Sequence, residues 1–238
     1  QLRRFDRACA QHDLAGETRW MEQAIAEFGI PAAHVARALL DSDDVEMDLA
    51  VHASHAFVRG IRHKPTAARS AREIVARAPG GMGDPRWRRG YAALARHGLH
   101  FELQAPWWHV DELIDLVAAF PQTSVVINHT FLPADRSAEG LAGWKAALRR
   151  AATIPTAAVK ISGIGVAGRA WSLADNRPII LEAIDAFGPD RCMFASNFPV
   201  DGLCATFATI VDGFREIVRD LPAEAQRALF HDNAMRIY

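Results

Sequence analysis

His129 closes the run Ser124-Val-Val-Ile-Asn-His129, in which three apolar β-formers lead to an imidazole. Such a run reads as a strand buried on both faces. A histidine at its emerging end is placed to be a general base near neutrality or a metal ligand. Other apolar runs end in the same way. Phe57-Val-Arg-Gly-Ile-Arg-His63 carries Arg59 and Arg62. Three residues apart on a strand, these point to opposite faces. Arg62 lies nearer the strand end and is the one favoured to face a site, where a guanidinium pairs bidentately with a carboxylate. His100-Phe-Glu-Leu-Gln104 ends in an amide, and Ala158-Val-Lys-Ile-Ser162 holds Lys160. Gln104 and Lys160 suit hydroxyl or carbonyl oxygens, and a buried strand lysine with no role would be costly. Trp107, Trp108 and Trp171 fall in loops after strands, where they can wall a pocket for a sugar ring or an aromatic acid.

The elements that must position these groups follow from periodicity. Strands are expected at Val35–Leu40, Phe57–His63, His100–Gln104, Ser124–His129, Ala158–Ser162 and Cys192–Asn197. Arg7–Gln11 reads as a weak strand or a helix tail. Helical stripes lie between the strands, at Glu17–Phe28, Arg86–His97, Val110–Phe120, around Leu141–Leu148, around Ile180–Phe187, from Phe207 to Val218, and from Pro222 to Phe230. Asp41-Ser-Asp-Asp44 reads as a loop or helix cap, because the spacing and glycine of a calcium loop are missing. Gly60 predicts a backbone that something approaches closely. About six strands alternating with helices give an α/β fold with a parallel sheet, either a barrel or a doubly wound sheet. No Gly-x-Gly-x-x-Gly or P-loop is present, which weakens the nucleotide-binding alternative.

Composition narrows the partners. The chain has 238 residues, 50% of them hydrophobic, enough for a sizeable core. A net charge of −1 makes no electrostatic case for nucleic acid or an anionic membrane. Cys9, Cys192 and Cys204 form no Cys-x-x-Cys, which fits a reducing cytosol and argues against a cysteine-built zinc site. Cytoplasmic location is the resulting expectation, and a homo-oligomer is left open. His52 and His55, three apart, would share a helix face, and a zinc pair there competes with ordinary surface or loop histidines.

Glu17-Thr-Arg-Trp20, Val58-Arg-Gly-Ile-Arg62, Phe101-Glu-Leu-Gln104, Val126-Ile-Asn-His129, Val159-Lys-Ile-Ser-Gly163, Met193-Phe-Ala-Ser-Asn-Phe-Pro-Val-Asp201 and Asn233-Ala-Met-Arg-Ile-Tyr238 occur in this order. Together they resemble the amidohydrolase-related family of the amidohydrolase superfamily, most closely its branch of sugar-lactone and 2-pyrone-4,6-dicarboxylate lactonases. The resemblance implies one (β/α)8 TIM-type barrel domain over residues 1–238, with the site at the carboxyl ends of the strands. It implies hydrolysis of a lactone or related cyclic ester, with lactone or carboxylate as the small-molecule ligand. His129 matches the family's middle-strand histidine. The first-strand His-x-His is absent, so the chain is expected to lack one or two strands at its front or to be a variant with an incomplete metal site. Asn197 stands where the family's last-strand aspartate is expected, with Asp201 four residues on. Asparagine cannot act as a base but can hydrogen-bond water or substrate. The expected catalytic groups are therefore His129, Asn197 and Asp201, with Arg62, Gln104, Lys160 and Trp171 binding substrate. One divalent metal, zinc on His129, or a metal-free histidine base are both open. A decarboxylase on the same barrel and a non-catalytic, ligand-binding barrel are the competing functions.

Overall fold

The computed structural model describes residues 16–166 and 168–238. The reading of Arg7–Gln11, and Cys9 with it, lies outside the described residues. Helix α1 (Gly16–Phe28) leads to β1 (His34–Arg37) and α2 (Val45–Ala53), then β2 (Val58–Arg62). A long loop precedes α3 (Pro85–Arg96), β3 (His100–Leu103), α4 (Val110–Ala119) and β4 (Val125–Ile127). Next come α5 (Ala138–Ala152), β5 (Ala157–Ile161), α6 (Leu173–Phe187) and β6 (Cys192–Phe194). The chain closes with α7 (Phe207–Val218), α8 (Ala223–Arg227), a π-helical turn at Ala228–Asp232 and α9 (Asn233–Ile237).

All six strands are parallel and pair in sequence order, β1 to β6. A doubly wound sheet would reverse its strand order at a switch point. Uninterrupted order with helical crossovers is the wall of a (β/α)8 barrel, of which the described residues supply six strands. Alternation along each strand assigns its faces. Ile61, Phe101, Leu103, Val125, Ile127, Val159 and Ile161 join the main core under the helices. Val126, Ala158 and Met193 point the other way and pack with Ala234, Ile237 and Tyr238. Helix α3 begins with Asp84 accepting the Arg86 N–H at 2.9 Å and with Pro85 in its first turn. It buries Trp87 and Tyr91, which stack at 5.5 Å and meet the edge of Phe101. Gly90 lets α3 lie on the backbone of Leu40, where a Cβ would come within 2.0 Å of the carbonyl oxygen.

Several boundaries differ from the sequence expectation. The first strand stops at Arg37, and the Leu40 N–H bonds instead to His63 Nδ1 at 3.0 Å. Helix α2 was not expected. It buries Val45, Asp48, Leu49 and His52 without a clean apolar stripe, so periodicity does not announce it. The fourth strand ends at Ile127, two residues before His129. Among the described residues no helix is long and apolar enough to cross a membrane.

Candidate active site

The inner faces of the strands converge on one buried carboxylate. Glu102 is fully buried. Its Oε1 accepts from Lys160 Nζ at 2.5 Å and from the Tyr238 hydroxyl at 2.6 Å, and its Oε2 accepts from Arg62 at 3.2 Å. His100 Nε2 lies 3.8 Å from Oε1, and its ring covers Gly60, the close approach that this glycine predicts. Burial alone would raise the Glu102 pKa, but His100, Lys160 and Tyr238 outweigh it and hold the group ionised, below the usual carboxylate range. Burial pulls the Lys160 ammonium down while Glu102 pulls it back up. Arg59 is exposed, whereas Arg62 is half-buried with its head on Glu102. Two cations on one carboxylate leave the cluster with an excess positive charge.

His129 stands above this cluster. Its Nδ1 lies 3.0 Å from Ser162 Oγ. Burial, then the charges of Arg62, Lys160 and Lys64, lower its pKa to about 4 against the opposing pull of Glu102, so the imidazole is neutral at physiological pH. The backbone that presents it is unusual. His129, Thr130, Phe131 and Leu132 have φ of 54°, 53°, 61° and 55°. A left-handed conformation costs an L-residue about 1–2 kcal/mol, so this turn persists because its surroundings hold it. Trp144 Nε1 donates to the Thr130 carbonyl at 2.8 Å, and Thr130 Oγ1 bridges the backbone N–H and C=O of Ser162 at 3.3 Å each. Gly163, at φ +58°, leaves room for the ring, since a Cβ there would lie 2.7 Å from His129 Nδ1.

Asn197 also takes positive φ, 52°, in the loop three residues past the end of β6. Its Nδ2 donates to Asp201 Oδ1 at 2.7 Å, and the Asp201 N–H returns to the Asn197 carbonyl at 3.1 Å. Burial raises the Asp201 pKa, while Asn197 and the Gly165 N–H pull it down. Asp201 thus ties the loop after β6 to the loop after β5. Gln104 lies on the same strand face as Glu102, and its Oε1 is buried without a partner among the described residues. Trp171 sits in helix packing. It is 8% exposed, edge-on to Phe214 at 6.0 Å, and lies over Gly213.

His52 and His55 are engaged separately, as ordinary structural histidines and not as a zinc pair. His52 Nε2 donates to the Arg37 carbonyl at 3.2 Å, and its Nδ1 accepts from Thr18 Oγ1 at 2.9 Å, so both ring nitrogens are engaged in fastening α1 and α2 to β1. His55 faces Glu22 at 3.5 Å. A zinc ion on His129 would need about two further protein ligands. Among the described residues no group of three or more His, Cys, Asp or Glu side chains is placed to hold a metal ion. The charges acting on His129 are chiefly Arg62, Lys160 and Lys64, which repel a dication. The described residues do not fit a catalytic zinc. Sequence reasoning passed over Glu102 and Tyr238. The available signal was alternation, which puts Glu102 on the same face as Gln104.

A family model described as amidohydrolase matches residues 5–238. Protein y4mH of Sinorhizobium fredii is 37% identical over 224 residues, 94% of this chain and 75% of its own. L-fucono-1,5-lactonase of Burkholderia multivorans is 29% identical over 194 residues, 76% of this chain and 62% of its own, so the match takes in less than two thirds of the lactonase. A crystal structure of an amidohydrolase from Burkholderia multivorans with bound zinc superposes with a TM-score of 0.78 at 25% identity, over 93% of this chain and 78% of that one. With the family model matched over almost its whole length, the chain belongs to the amidohydrolase family.

Proposed function

We propose that this chain carries the site of a lactone-type hydrolase, which opens a cyclic ester by attack of water on the carbonyl at the carboxyl ends of the strands. The observation that carries the reading is the geometry at the strand ends, where His129 is held against Ser162 and Arg62 and Lys160 converge on the buried Glu102. With Nδ1–H donated to Ser162 Oγ, His129 Nε2 has a free lone pair and takes a proton from water as the oxygen bonds to the carbonyl carbon. The oxyanion that develops is stabilised by the two cations. The ring C–O bond then breaks, and the proton held on His129 passes to the leaving alkoxide, giving the hydroxy acid. Asn197, whose Nδ2 is engaged by Asp201, offers Oδ1 to water or to a substrate hydroxyl. Asp201 positions Asn197. Arg62 and Lys160 also attract the product carboxylate. The similarity to an L-fucono-1,5-lactonase supports the choice of ester.

The product acid ionises, so a panel of 1,5-lactones followed with a pH indicator tests the reading. Acidification above the uncatalysed rate is expected for at least one lactone, and none above it would contradict the proposal. A ligand-binding barrel without turnover is the second reading, favoured by an amide at position 197 where the family resemblance places an aspartate. It predicts that lactones raise the melting temperature in the same panel without releasing acid.

A further inference from the structure

The chain between Arg62 and Pro85 is long for a connection whose regular structure is one 3₁₀ turn, Ala71–Glu73. From Thr66 to Gly80 none of its residues is buried, and Ile74 and Val75 are exposed, so apolar packing does not hold this strap down. Hydrogen bonds do. Its two limbs meet where the Thr66 N–H donates to the Gly80 carbonyl at 2.8 Å. The leading limb is gripped at a single residue from the corner after β3. The Ala68 N–H donates to His109 Nε2 at 3.0 Å, and Trp108 Nε1 donates to the Ala68 carbonyl at 3.0 Å. His109 is buried, and its Nδ1 bonds to Glu112. A ring nitrogen that accepts from an amide carries no proton, so the imidazole proton sits on Nδ1 and Glu112 accepts it. Glu112 Oε1 also lies against the trailing limb, 3.4 Å from where a Cβ on Gly83 would stand. Two adjacent side chains thus hold both peptide groups of one loop residue, and a carboxylate fixes the tautomer that does so.

We propose that His109 is a positioning residue of the site: with Trp108 it clasps the strap at Ala68 and so fixes Lys64 at the mouth, as a third cation for the carboxylate that hydrolysis releases. Lys64 lies on the leading limb, between the end of β2 and the clasp. It follows by two residues Arg62, whose head is on Glu102, and its charge is among those that act on His129. Arg62 and Lys160 share one carboxylate, whereas Lys64 is exposed. A lysine on an untethered loop would have to be ordered by the ligand. A limb already clasped four residues on gives up that freedom beforehand, which favours binding. This inference deepens the hydrolase reading and rests on it for the ligand, but not for the clasp.

Amide hydrogen exchange and titration calorimetry on the full chain test the two halves. The calorimetric probe is 5-hydroxypentanoate, the hydroxy acid of the simplest 1,5-lactone. His109→Leu removes the acceptor and is expected to speed exchange of the Ala68 amide at least about fivefold, the effect of one hydrogen bond. It should also weaken the probe by the same factor as Lys64→Met, about threefold or more. The double variant should bind no more weakly than either single one, because a lysine already set loose has nothing left to lose. His109→Gln sets an amide Oε1 in place of Nε2 and should restore both readings to within about twofold of native. If His109→Leu does not fold, Trp108→Phe, which removes only the bond to the Ala68 carbonyl, should move both readings in the same direction. Unchanged exchange of Ala68, no binding of the probe, a Lys64→Met effect that persists in full beside His109→Leu, or His109→Gln as damaging as His109→Leu would each overturn the proposal. Coupled losses of binding with no lactone opened would leave the clasp standing and remove the hydrolase reading.

Discussion

Glu102 is the residue on which the interior charge balance turns. Lys160 and Arg62 both point at it, and Glu102 is the carboxylate that each of them contacts directly, while Glu17 lies within electrostatic reach of Arg62. Glu102→Gln leaves two partly buried cations without their counter-charge. Breaking a buried ion pair by removing one partner costs about 3–5 kcal/mol, so urea unfolding of this variant should show a loss in that range. A loss below about 1 kcal/mol would mean that the pair is solvated and not structural. The same cations bear on the metal question. The described residues bring no three-ligand group to His129, so dialysis against a strong chelator should leave any hydrolysis within about twofold of its starting rate. A loss restored by zinc would show that ligands reach His129 from elsewhere. At this scale the sequence was partly readable. A lysine inside an apolar strand requires a partner, and that argument selected Lys160. Which carboxylate met it was not readable, because Lys160 and Glu102 are 58 residues apart, Tyr238 and Glu102 are 136 apart, and only the closed fold brings the three together.

The turn from His129 to Leu132 and the glycine facing it are the elements that aim the imidazole. Gly163→Ala would add a methyl 2.7 Å from His129 Nδ1 at a φ of +58°. The expected result is a destabilisation of at least about 1 kcal/mol by thermal or urea unfolding. It should come with at least about a tenfold loss of turnover, since small displacements of a catalytic group are costly. Unchanged turnover with the expected destabilisation would show that His129 need not hold this position. Periodicity located the strands here because each is a short apolar run with an outward face in the main core. It placed the end of β4 two residues late, because nothing in the types His-Thr-Phe-Leu signals four consecutive left-handed residues. Tertiary bonds from Trp144 and Ser162 impose that conformation. Helix α2 escaped for a related reason, as its buried set follows its position between α1, β1 and α3 more than any regular stripe.

Across the whole molecule, consecutive parallel strands turn separate motifs into neighbours, and the barrel reading follows from that order. The same burial gives the protein a definite response to acid. Desolvation lowers the pKa of His34 and His129 to about 4 and also lowers those of His52 and His63. An unfolded histidine titrates near ~6.5. Between pH 6.5 and 4 the unfolded chain therefore binds more protons than the folded one, and stability falls as pH drops through that window. Glu102, held below the usual carboxylate range, contributes in the same direction at lower pH. The melting temperature should be lower at pH 5 than at pH 7.5, and an equal or higher value at pH 5 would contradict the burial of these imidazoles in neutral form.

The most direct measurement is the turnover of His129→Ala against the native chain on a hydrolysed lactone, with matching circular dichroism for both. If His129 activates the water, turnover falls at least about 100-fold while the fold is kept. Turnover within a few-fold of native would remove His129 from the chemistry and, with it, the active site described above.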